Sequence, residues 1–182
     1  MRTSYEENGY GLLFQALAFI NKPRLIVECG ILDGYSLKSF VQWRTDSRVR
    51  VVGIDLFDDY EFKHGKQEEI ETFFSVYDNV EIWKDDAFSA MNRFENESID
   101  LLHIDISNDG KNLVTMFDLW TPKVRRGGMI VFEGGSEDRD EIEWMKKYEK
   151  TPIRCFKEGL AERAFEFVTF TAHPSLTLCR KV

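Results

Sequence analysis

Val27-Glu28-Cys29-Gly30-Ile31-Leu32-Asp33-Gly34-Tyr35-Ser36 is the stretch around which the rest of the chain is organised. The residues that lead into it, 24–28, form a short, mostly branched apolar run, which is typical of a parallel strand covered on both faces. The glycines at 30 and 34 have no Cβ, so the backbone of the turn can approach a ligand closely. Apolar residues at helical spacing follow Ser36, so the turn leads to a helix N-terminus, where free N–H groups favour polar or anionic ligands. The stretch therefore indicates a nucleotide-type site.

The other apolar segments alternate between strand and helix patterns. The two strands of the tail are separated by a short turn, so we expect an antiparallel hairpin at the edge of the sheet. The sequence predicts an α/β fold, with a doubly wound, mostly parallel seven-stranded sheet and one domain over residues 1–182. The predicted strands are 24–28, 50–55, 80–83, 99–104, 129–133, 165–171 and 176–181, and the predicted helices beyond the glycine turn are 67–77, 87–91, 113–120 and 137–148, after a first helix at 10–21.

Composition narrows the class of protein. The chain has 182 residues, a formal net charge of −8 and no basic stripe, so nucleic acid is not an expected partner. Its three cysteines are widely spaced and form no C-x-x-C pair, which is typical of a reducing compartment. The first residues are polar, and the longest apolar run is too short to span a bilayer. We therefore expect a cytoplasmic protein with no membrane partner.

Acidic and amide side chains gather where the predicted strands end. In doubly wound sheets, ligands bind outside the carboxyl ends of the strands, so these side chains should line one crevice. Several other functions are excluded by absent motifs: there is no P-loop, no G-x-G-x-x-G, no Tyr/Lys pair at a spacing of four, no H-E-x-x-H and no G-x-S-x-G. The crevice residues are Glu28, Asp55, Asp86, Asp105, Asn108 and Glu133.

With these residues in view, the sequence resembles a known family. The stretch 28–36 looks like the E-x-G-x-x-x-G-x-S motif of class I S-adenosylmethionine-dependent methyltransferases, and is most similar to the small-molecule O-methyltransferase group that includes macrocin O-methyltransferase. The resemblance covers residues from about 24 to 135 and implies S-adenosyl-L-methionine as cofactor. It continues in Gly53-Ile54-Asp55-Leu56-Phe57, Asp85-Asp86-Ala87, His103-Ile104-Asp105, Asp118-Leu119-Trp120-Thr121-Pro122 and Arg126-Gly127-Gly128-Met129-Ile130-Val131.

The resemblance assigns the methionine end of the cofactor to the glycine turn. Gly30, Gly34 and Ser36 would hold this end, and Glu28 would lie near the ammonium group or make an ordering hydrogen bond. Asp105 would lie under the sulfonium, where the methyl group leaves, and is the candidate catalytic residue.

The adenosine end is assigned to the next two strands. Asp55 lies 21 residues after Gly34, and its carboxylate would accept hydrogen bonds from the ribose hydroxyls. Asp86 and the backbone N–H of Ala87 resemble the pair that recognises adenine. Both aspartates are also in positions where a carboxylate caps a helix, and this alternative stays open.

Methyl transfer to a hydroxyl requires alignment of the acceptor and removal of its proton. Relatives often bind a divalent cation through an aspartate after the fourth strand and an Asp-Asp pair after the fifth. Here Asp105 matches the first position and Glu133 the second, but the third is Gly134. Asp105 and Glu133 are therefore candidate Mg²⁺ ligands, and Asn108 or Asp109 could complete the oxygen shell.

The loop after Asp105 lacks the His and Tyr common in this family, so a non-catalytic binding or assembly module is the competing hypothesis. A nicotinamide enzyme is disfavoured by the glycine spacing. A small-molecule acceptor, such as a sugar or secondary metabolite, would be bound by segments 1–8, 58–66 or 133–138, or by a second subunit of a homo-oligomer. His103 lies in an apolar strand and is interpreted as a core residue, whereas His64 and His173 are interpreted as surface residues.

Overall fold

Residues 3–42, 49–62 and 64–182 are described by the structure, which is a computed structural model. The strands and helices follow each other in alternation through most of the chain, and short 3₁₀ turns join some of them. The strands are β1 (Leu25–Cys29), β2 (Arg50–Asp55), β3 (Val80–Lys84), β4 (Ile99–Ile104), β5 (Val124–Glu133), β6 (Phe165–Phe170) and β7 (Leu176–Lys181), and the helices are α1 (Ser4–Glu7), α2 (Gly11–Asn21), α3 (Tyr35–Val41), α4 (Gln67–Phe74), α5 (Ala87–Ala90), α6 (Gly110–Trp120), α7 (Glu137–Asp140), α8 (Glu143–Lys147) and α9 (Ile153–Glu158).

One sheet contains all seven strands, in the order β3-β2-β1-β4-β5-β7-β6. The first five strands are parallel, whereas β7 is antiparallel to both β5 and β6. The prediction of a doubly wound, mostly parallel sheet with a C-terminal antiparallel hairpin is confirmed. The strand order reverses between β1 and β4, which places a ligand crevice above the carboxyl ends of these two strands.

Both faces of the sheet are covered, as the continuous apolar strands predict. Alternate residues of β1 point to opposite faces: Val27 packs in the core under α5 and α6, whereas Ile26 packs in the core under α2 and α3. Strand β4 is buried along its whole length, and the largest side chain in the first core, Trp120, is inaccessible to solvent. These two cores hold the carboxyl ends of β1 and β4 rigidly in place.

A buried carboxylate joins the same two strands at their amino ends. One oxygen of Asp100 accepts hydrogen bonds from the backbone N–H groups of Arg24 and Leu25, at 2.8 and 2.9 Å. The other oxygen accepts a hydrogen bond from the guanidinium of Arg125. Strands β1, β4 and β5 are therefore connected through one side chain far from the crevice.

Several element boundaries differ from the prediction. The helix predicted over 137–148 is two short helices, because Ile142 has an extended backbone (ψ 152°) and interrupts it. Asp140 is buried there and accepts hydrogen bonds from the N–H groups of Ile153 and Arg154, which fixes the start of α9. Helices α1 and α9 were not predicted, and β5 begins five residues before its predicted start at Met129. Within the described ranges, no helix has the length and hydrophobicity needed to cross a bilayer.

Candidate active site

The glycine turn lies directly on the end of β4. Gly30 and Gly34 have φ angles of +88° and +79°, a region that disfavours residues with a Cβ. A Cβ added to Gly30 would overlap the carbonyl oxygen of Asp105. The N–H of Asp105 in turn donates to the carbonyl of Cys29 at 2.8 Å. The turn and Asp105 are therefore packed backbone to backbone, and glycine is required at position 30.

Asp55 holds this turn in shape. Its Oδ2 accepts hydrogen bonds from the N–H groups of Ile31 (2.7 Å) and Leu32 (3.2 Å), and its Oδ1 accepts one from Phe57 (2.7 Å). Two carboxylate oxygens offer about four lone-pair sites, so roughly one stays available to a ligand. The side chain also lines the crevice. The predicted contact of Asp55 with the ribose stays a prediction. The structure shows in addition that Asp55 orders the glycine turn.

Asp86 caps helix α5, as the alternative interpretation of its position required. Its side chain accepts a hydrogen bond from the N–H of Phe88 at 2.9 Å. Ala87 is the first residue of that helix, where backbone N–H groups have no intrahelical acceptor. Both residues line the crevice, so capping and the predicted contact with adenine are compatible.

A buried polar chain runs beneath the turn. Glu28 is fully buried, and its Oε1 accepts hydrogen bonds from the hydroxyl of Ser36 and from Nδ1 of His103, the latter at 3.0 Å. The hydroxyl of Tyr5 lies 3.5 Å from Nε2 of His103. Glu28 therefore makes the ordering hydrogen bond that was one of its two predicted roles. Its Oε2 has no hydrogen-bond partner among the described residues.

The same chain shifts the pKa of its histidine. Burial alone would lower the pKa of His103, but the hydrogen bond and charge of Glu28, together with Asp105 and Glu133, raise it above its ordinary value. His103 is surrounded by the rings of Tyr5, Phe14 and Phe40, so it is a core residue, as predicted. His64 and His173 are exposed, also as predicted.

Asp105 lies at the floor of the crevice, partly buried. Desolvation and the nearby charges of Glu133 and Glu28 raise its pKa to about 7, against the opposing effects of His103 and of the hydrogen bond from Tyr5. A carboxylate with this pKa exchanges a proton near neutral pH, which suits a general base. Tyr5 was not singled out by the sequence, because its distance along the chain from Asp105 hides the contact.

Glu133 lies at the end of β5 and is already bound by other side chains. Its Oε1 accepts hydrogen bonds from Nε (3.0 Å) and Nη2 (2.6 Å) of Arg139 and from the amide of Asn108 (2.9 Å). In the described part of the chain, no group of three or more His, Cys, Asp or Glu residues could hold a metal ion. Asp105, Glu133, Asn108 and Asp109 therefore do not fit the predicted Mg²⁺ site.

Three neighbouring cavities form the crevice. The first, about 380 Å³, is lined by the glycine turn together with Tyr5, Asp55, Asp105 and Glu133. The second, about 280 Å³, shares Gly30 and Asp55 with the first and extends to Asp86 and Ala87. The third, about 340 Å³, shares Asp105 and Asn108 with the first. Glu28 and Ser36 support the first cavity, so all the predicted cofactor residues lie in or beneath one continuous crevice.

Four aromatic side chains line the third cavity, which is called the aromatic cavity below. Tyr60 and Phe62 form one pair, with ring centroids 5.4 Å apart, and Trp144 and Tyr148 form another at 5.6 Å. The ammonium of Lys150 lies 5.3 Å from the Trp144 ring. The second pair was not predicted from the sequence, although two aromatic residues four apart in a charged segment are a visible signal. Of the segments predicted to bind the acceptor, Met1, Arg2 and Lys63 lie outside the described residues.

The comparisons with known proteins agree with this geometry. A family model described as "Methyltransferase domain" matches residues 27–133, well over half of the chain. Among curated proteins, no significant sequence match was found. The fold is similar to the SAH-bound methyltransferase PaMTH1 of Podospora anserina, with a TM-score of 0.72, 16% identity and coverage of 100% of this chain and 80% of that one.

Two further solved structures are O-methyltransferases. TomG of Streptomyces achromogenes, in complex with SAM, has a TM-score of 0.72 and 17% identity, with coverage of 96% of this chain and 80% of TomG. The Bacillus cereus O-methyltransferase, in complex with SAH, has a TM-score of 0.71 and 17% identity, with coverage of 96% and 81%. At these identities the likeness shows the fold. The family model shows the family: the chain belongs to the methyltransferase-domain family and is a class I S-adenosylmethionine-dependent methyltransferase.

Proposed function

We propose that this methyltransferase acts on a hydroxyl group of a small molecule. The observation that carries the proposal is the position of Asp105, which lines both the cavity of the glycine turn and the aromatic cavity beside it. A group transferred from one cavity to the other would pass next to this carboxylate. The two neighbours described as O-methyltransferases support oxygen as the acceptor atom.

The residues of the crevice fit the cofactor. The methionine end suits the first cavity, where Gly30 packs closely on the backbone of Asp105 and the buried Oε2 of Glu28 still lacks a hydrogen bond from any described residue. The adenosine end suits the second cavity, with Asp55 positioned for the ribose and Asp86 with Ala87 for the base. When bound, the cofactor supplies an electrophilic methyl group on a sulfonium.

Asp105 is the proposed general base. Its carboxylate takes the proton of the acceptor hydroxyl as the oxygen attacks, and its pKa of about 7 leaves a substantial fraction ionised at neutral pH. The buried chain of Glu28, His103 and Tyr5 holds the surrounding charges in fixed positions. Such preorganisation lowers the cost of charge movement in the crevice.

The acceptor is proposed to bind in the aromatic cavity. Tyr60 with Phe62 and Trp144 with Tyr148 offer flat apolar surfaces to a ring-bearing molecule, which includes sugars and many secondary metabolites. Lys150 lines the same cavity and lies 3.9 Å from a carboxylate oxygen of Asp109, so an acidic substituent of the acceptor would compete with Asp109 for its ammonium group. The small size of the cavity argues for a small molecule as the acceptor.

Calorimetry and a turnover assay test the proposal in two stages. Titration with S-adenosylmethionine and S-adenosylhomocysteine should give one site, whereas NADH should not bind. Asp55→Ala should weaken binding of both ligands, and Asp118→Ala, a substitution on the exposed side of α6, should leave it unchanged. Incubation with a panel of hydroxylated acceptors should then produce S-adenosylhomocysteine. Absence of cofactor binding would contradict the proposal, and binding without turnover on any acceptor would favour the non-catalytic module.

A further inference from the structure

We propose that the guanidinium of Arg139 takes the place of a divalent cation beside Glu133, so that methyl transfer by this enzyme needs no metal ion. The inference rests on the proposed function for its catalytic consequence. Its structural part concerns only the side chains that surround Glu133. It can therefore be tested by cation binding alone.

Arg139 and Glu133 form a buried ion pair. Nε and Nη2 of Arg139 both contact the same carboxylate oxygen of Glu133, at 3.0 and 2.6 Å. Arg139 is 6% exposed and Glu133 is 8% exposed, so the pair is shielded from solvent. Charge-assisted hydrogen bonds of this kind are strong when buried, and removal of either partner leaves an unpaired buried charge. A cation would have to displace the guanidinium before it could bind this oxygen.

Asn108 contacts the same carboxylate. Its amide N–H₂ also donates to Oε1 of Glu133, at 2.9 Å, so this one oxygen has three donors. In that orientation the amide presents hydrogen atoms toward the carboxylate, whereas a metal ligand must present its oxygen. Two of the four candidate ligands, Glu133 and Asn108, are therefore hydrogen-bonded to each other, and Glu133 is also bound to Arg139.

The backbone between β5 and α7 positions Arg139 beside Glu133. Gly134 and Gly135 have φ angles of +102° and +101°, which turn the chain sharply after β5. Ser136 then caps α7 by accepting the N–H of Arg139 at 3.2 Å. Gly134 is the residue that replaces the second member of the family's Asp-Asp pair. Gly134, which stands where the family has a metal-binding aspartate, is thus part of the turn that positions the guanidinium of Arg139.

For the reaction, the consequence is that the carboxylates of the crevice have different partners. Glu133 is ion-paired with Arg139, and Glu28 is paired with His103. Asp105 is then the carboxylate that is left to take a proton from the acceptor. Without a cation, the aromatic cavity would orient the acceptor hydroxyl, and Asp105 would accept its proton as a general base.

Cation binding provides the decisive experiment. Mn²⁺ is titrated into the S-adenosylhomocysteine complex and followed by electron paramagnetic resonance. The wild-type protein should show no stoichiometric binding, and Arg139→Gln should bind Mn²⁺ at least about tenfold more tightly, because Glu133 becomes available. Arg139→Lys keeps a positive charge and should exclude the ion as the wild type does. Arg154→Gln is the matched control, since this arginine pairs with other acids around α7, and it should change nothing.

Stoichiometric Mn²⁺ binding by the wild type would overturn the proposal, as would equal Mn²⁺ affinities of wild type and Arg139→Gln. Circular dichroism of each variant shows whether a change in Mn²⁺ affinity is caused by misfolding. Arg139→Lys separates the loss of the arginine side chain from the loss of its positive charge. Turnover, once an acceptor is found, should be unchanged by EDTA; loss of activity that Mg²⁺ restores would also overturn it. Failure of cofactor binding in calorimetry would instead count against the proposed function.

Discussion

Asp105 combines two properties that suit a catalytic carboxylate: contact with a ligand crevice and a pKa close to neutrality. The backbone of the glycine turn packs on its carbonyl, and the charges of Glu133 and Glu28 act on its carboxyl group. The sequence identified this residue from the order of motifs. Its electrostatic surroundings depend on Tyr5 and His103, which only the folded chain brings to it.

Replacement of Asp105 by Asn should therefore lower kcat by about 10²- to 10⁴-fold, the usual contribution of a positioned general base. In the wild type, kcat/KM should rise with pH and level off above about pH 7, because the base must be ionised. A pH profile of steady-state turnover measures both effects. A profile that is flat through pH 7 would contradict the assignment, and Asp118→Asn serves as a remote control on α6.

The same residue should affect stability in a pH-dependent way. Because the pKa of Asp105 is raised in the folded state, the unfolded chain loses this proton first as the pH rises from about 4 to about 7. The folded protein is therefore penalised increasingly across this range, and the full cost is present above pH 7. Asp105→Asn should raise the melting temperature more at pH 8 than at pH 4. Equal shifts at the two pH values would show that its pKa is not raised.

At the scale of secondary structure elements, helix α8 and the loop after β2 form the walls of the aromatic cavity. Trp144→Ala should raise KM for the acceptor by about 3- to 10-fold, since an aromatic contact contributes about 0.5–1.5 kcal/mol beyond its buried area. Affinity for S-adenosylhomocysteine should stay the same, because the second cavity does not include this helix. Phe167→Ala, a substitution of an exposed aromatic residue on β6, is the control. Equal changes in both affinities would place Trp144 outside the acceptor site.

Strands β1 and β4 are joined at their amino ends by Asp100. Although burial alone would raise the pKa of Asp100, its bonds with Arg125 and the β1 backbone hold it below the ordinary value. Asp100→Asn should reduce the free energy of unfolding by about 1.5–3 kcal/mol, the value for hydrogen bonds to a charged group. The wild-type advantage should be present above pH 4 and lost as the pH falls further, since protonation removes the charge. Urea unfolding at pH 7 and pH 3 measures this difference.

Elements with a strong hydrophobic periodicity were predictable from the sequence, and elements fixed by tertiary contacts were not. The five parallel strands follow from branched apolar runs, and α6 follows from apolar residues at helical spacing. The start of α9, by contrast, depends on Asp140, whose carboxylate binds the N–H groups of Ile153 and Arg154 from another part of the chain. In the site, residues within motifs were predicted, whereas Arg139 and Tyr5 were not, because their partners lie on other elements.

At the scale of the whole molecule, the crevice opens where the sheet order reverses, and it is lined by the end of β2 and by the segments that follow β1, β2, β3 and β4. A ligand that binds only the folded state stabilises it by RT ln(1 + [L]/Kd), which is about 2.7 kcal/mol at a hundredfold excess over Kd. For a chain of this size, S-adenosylhomocysteine should then raise the melting temperature by about 5–10 °C. Thermal denaturation with and without the ligand measures this, and Asp55→Ala should reduce the shift. Absence of any shift at saturation would contradict binding in this crevice.

The contact between Gly30 and the backbone of Asp105 also bears on how this protein can change. Any side chain at position 30 would push the loop away from the backbone of Asp105, the proposed general base, so mutation there should abolish function rather than adjust it. The walls of the aromatic cavity are different, because Phe62, Trp144 and Tyr148 are 59%, 41% and 49% exposed and contribute little to the cores. Libraries that randomise these three positions should therefore yield folded enzymes with altered acceptor preference. The transfer machinery and the choice of acceptor can evolve separately in this fold.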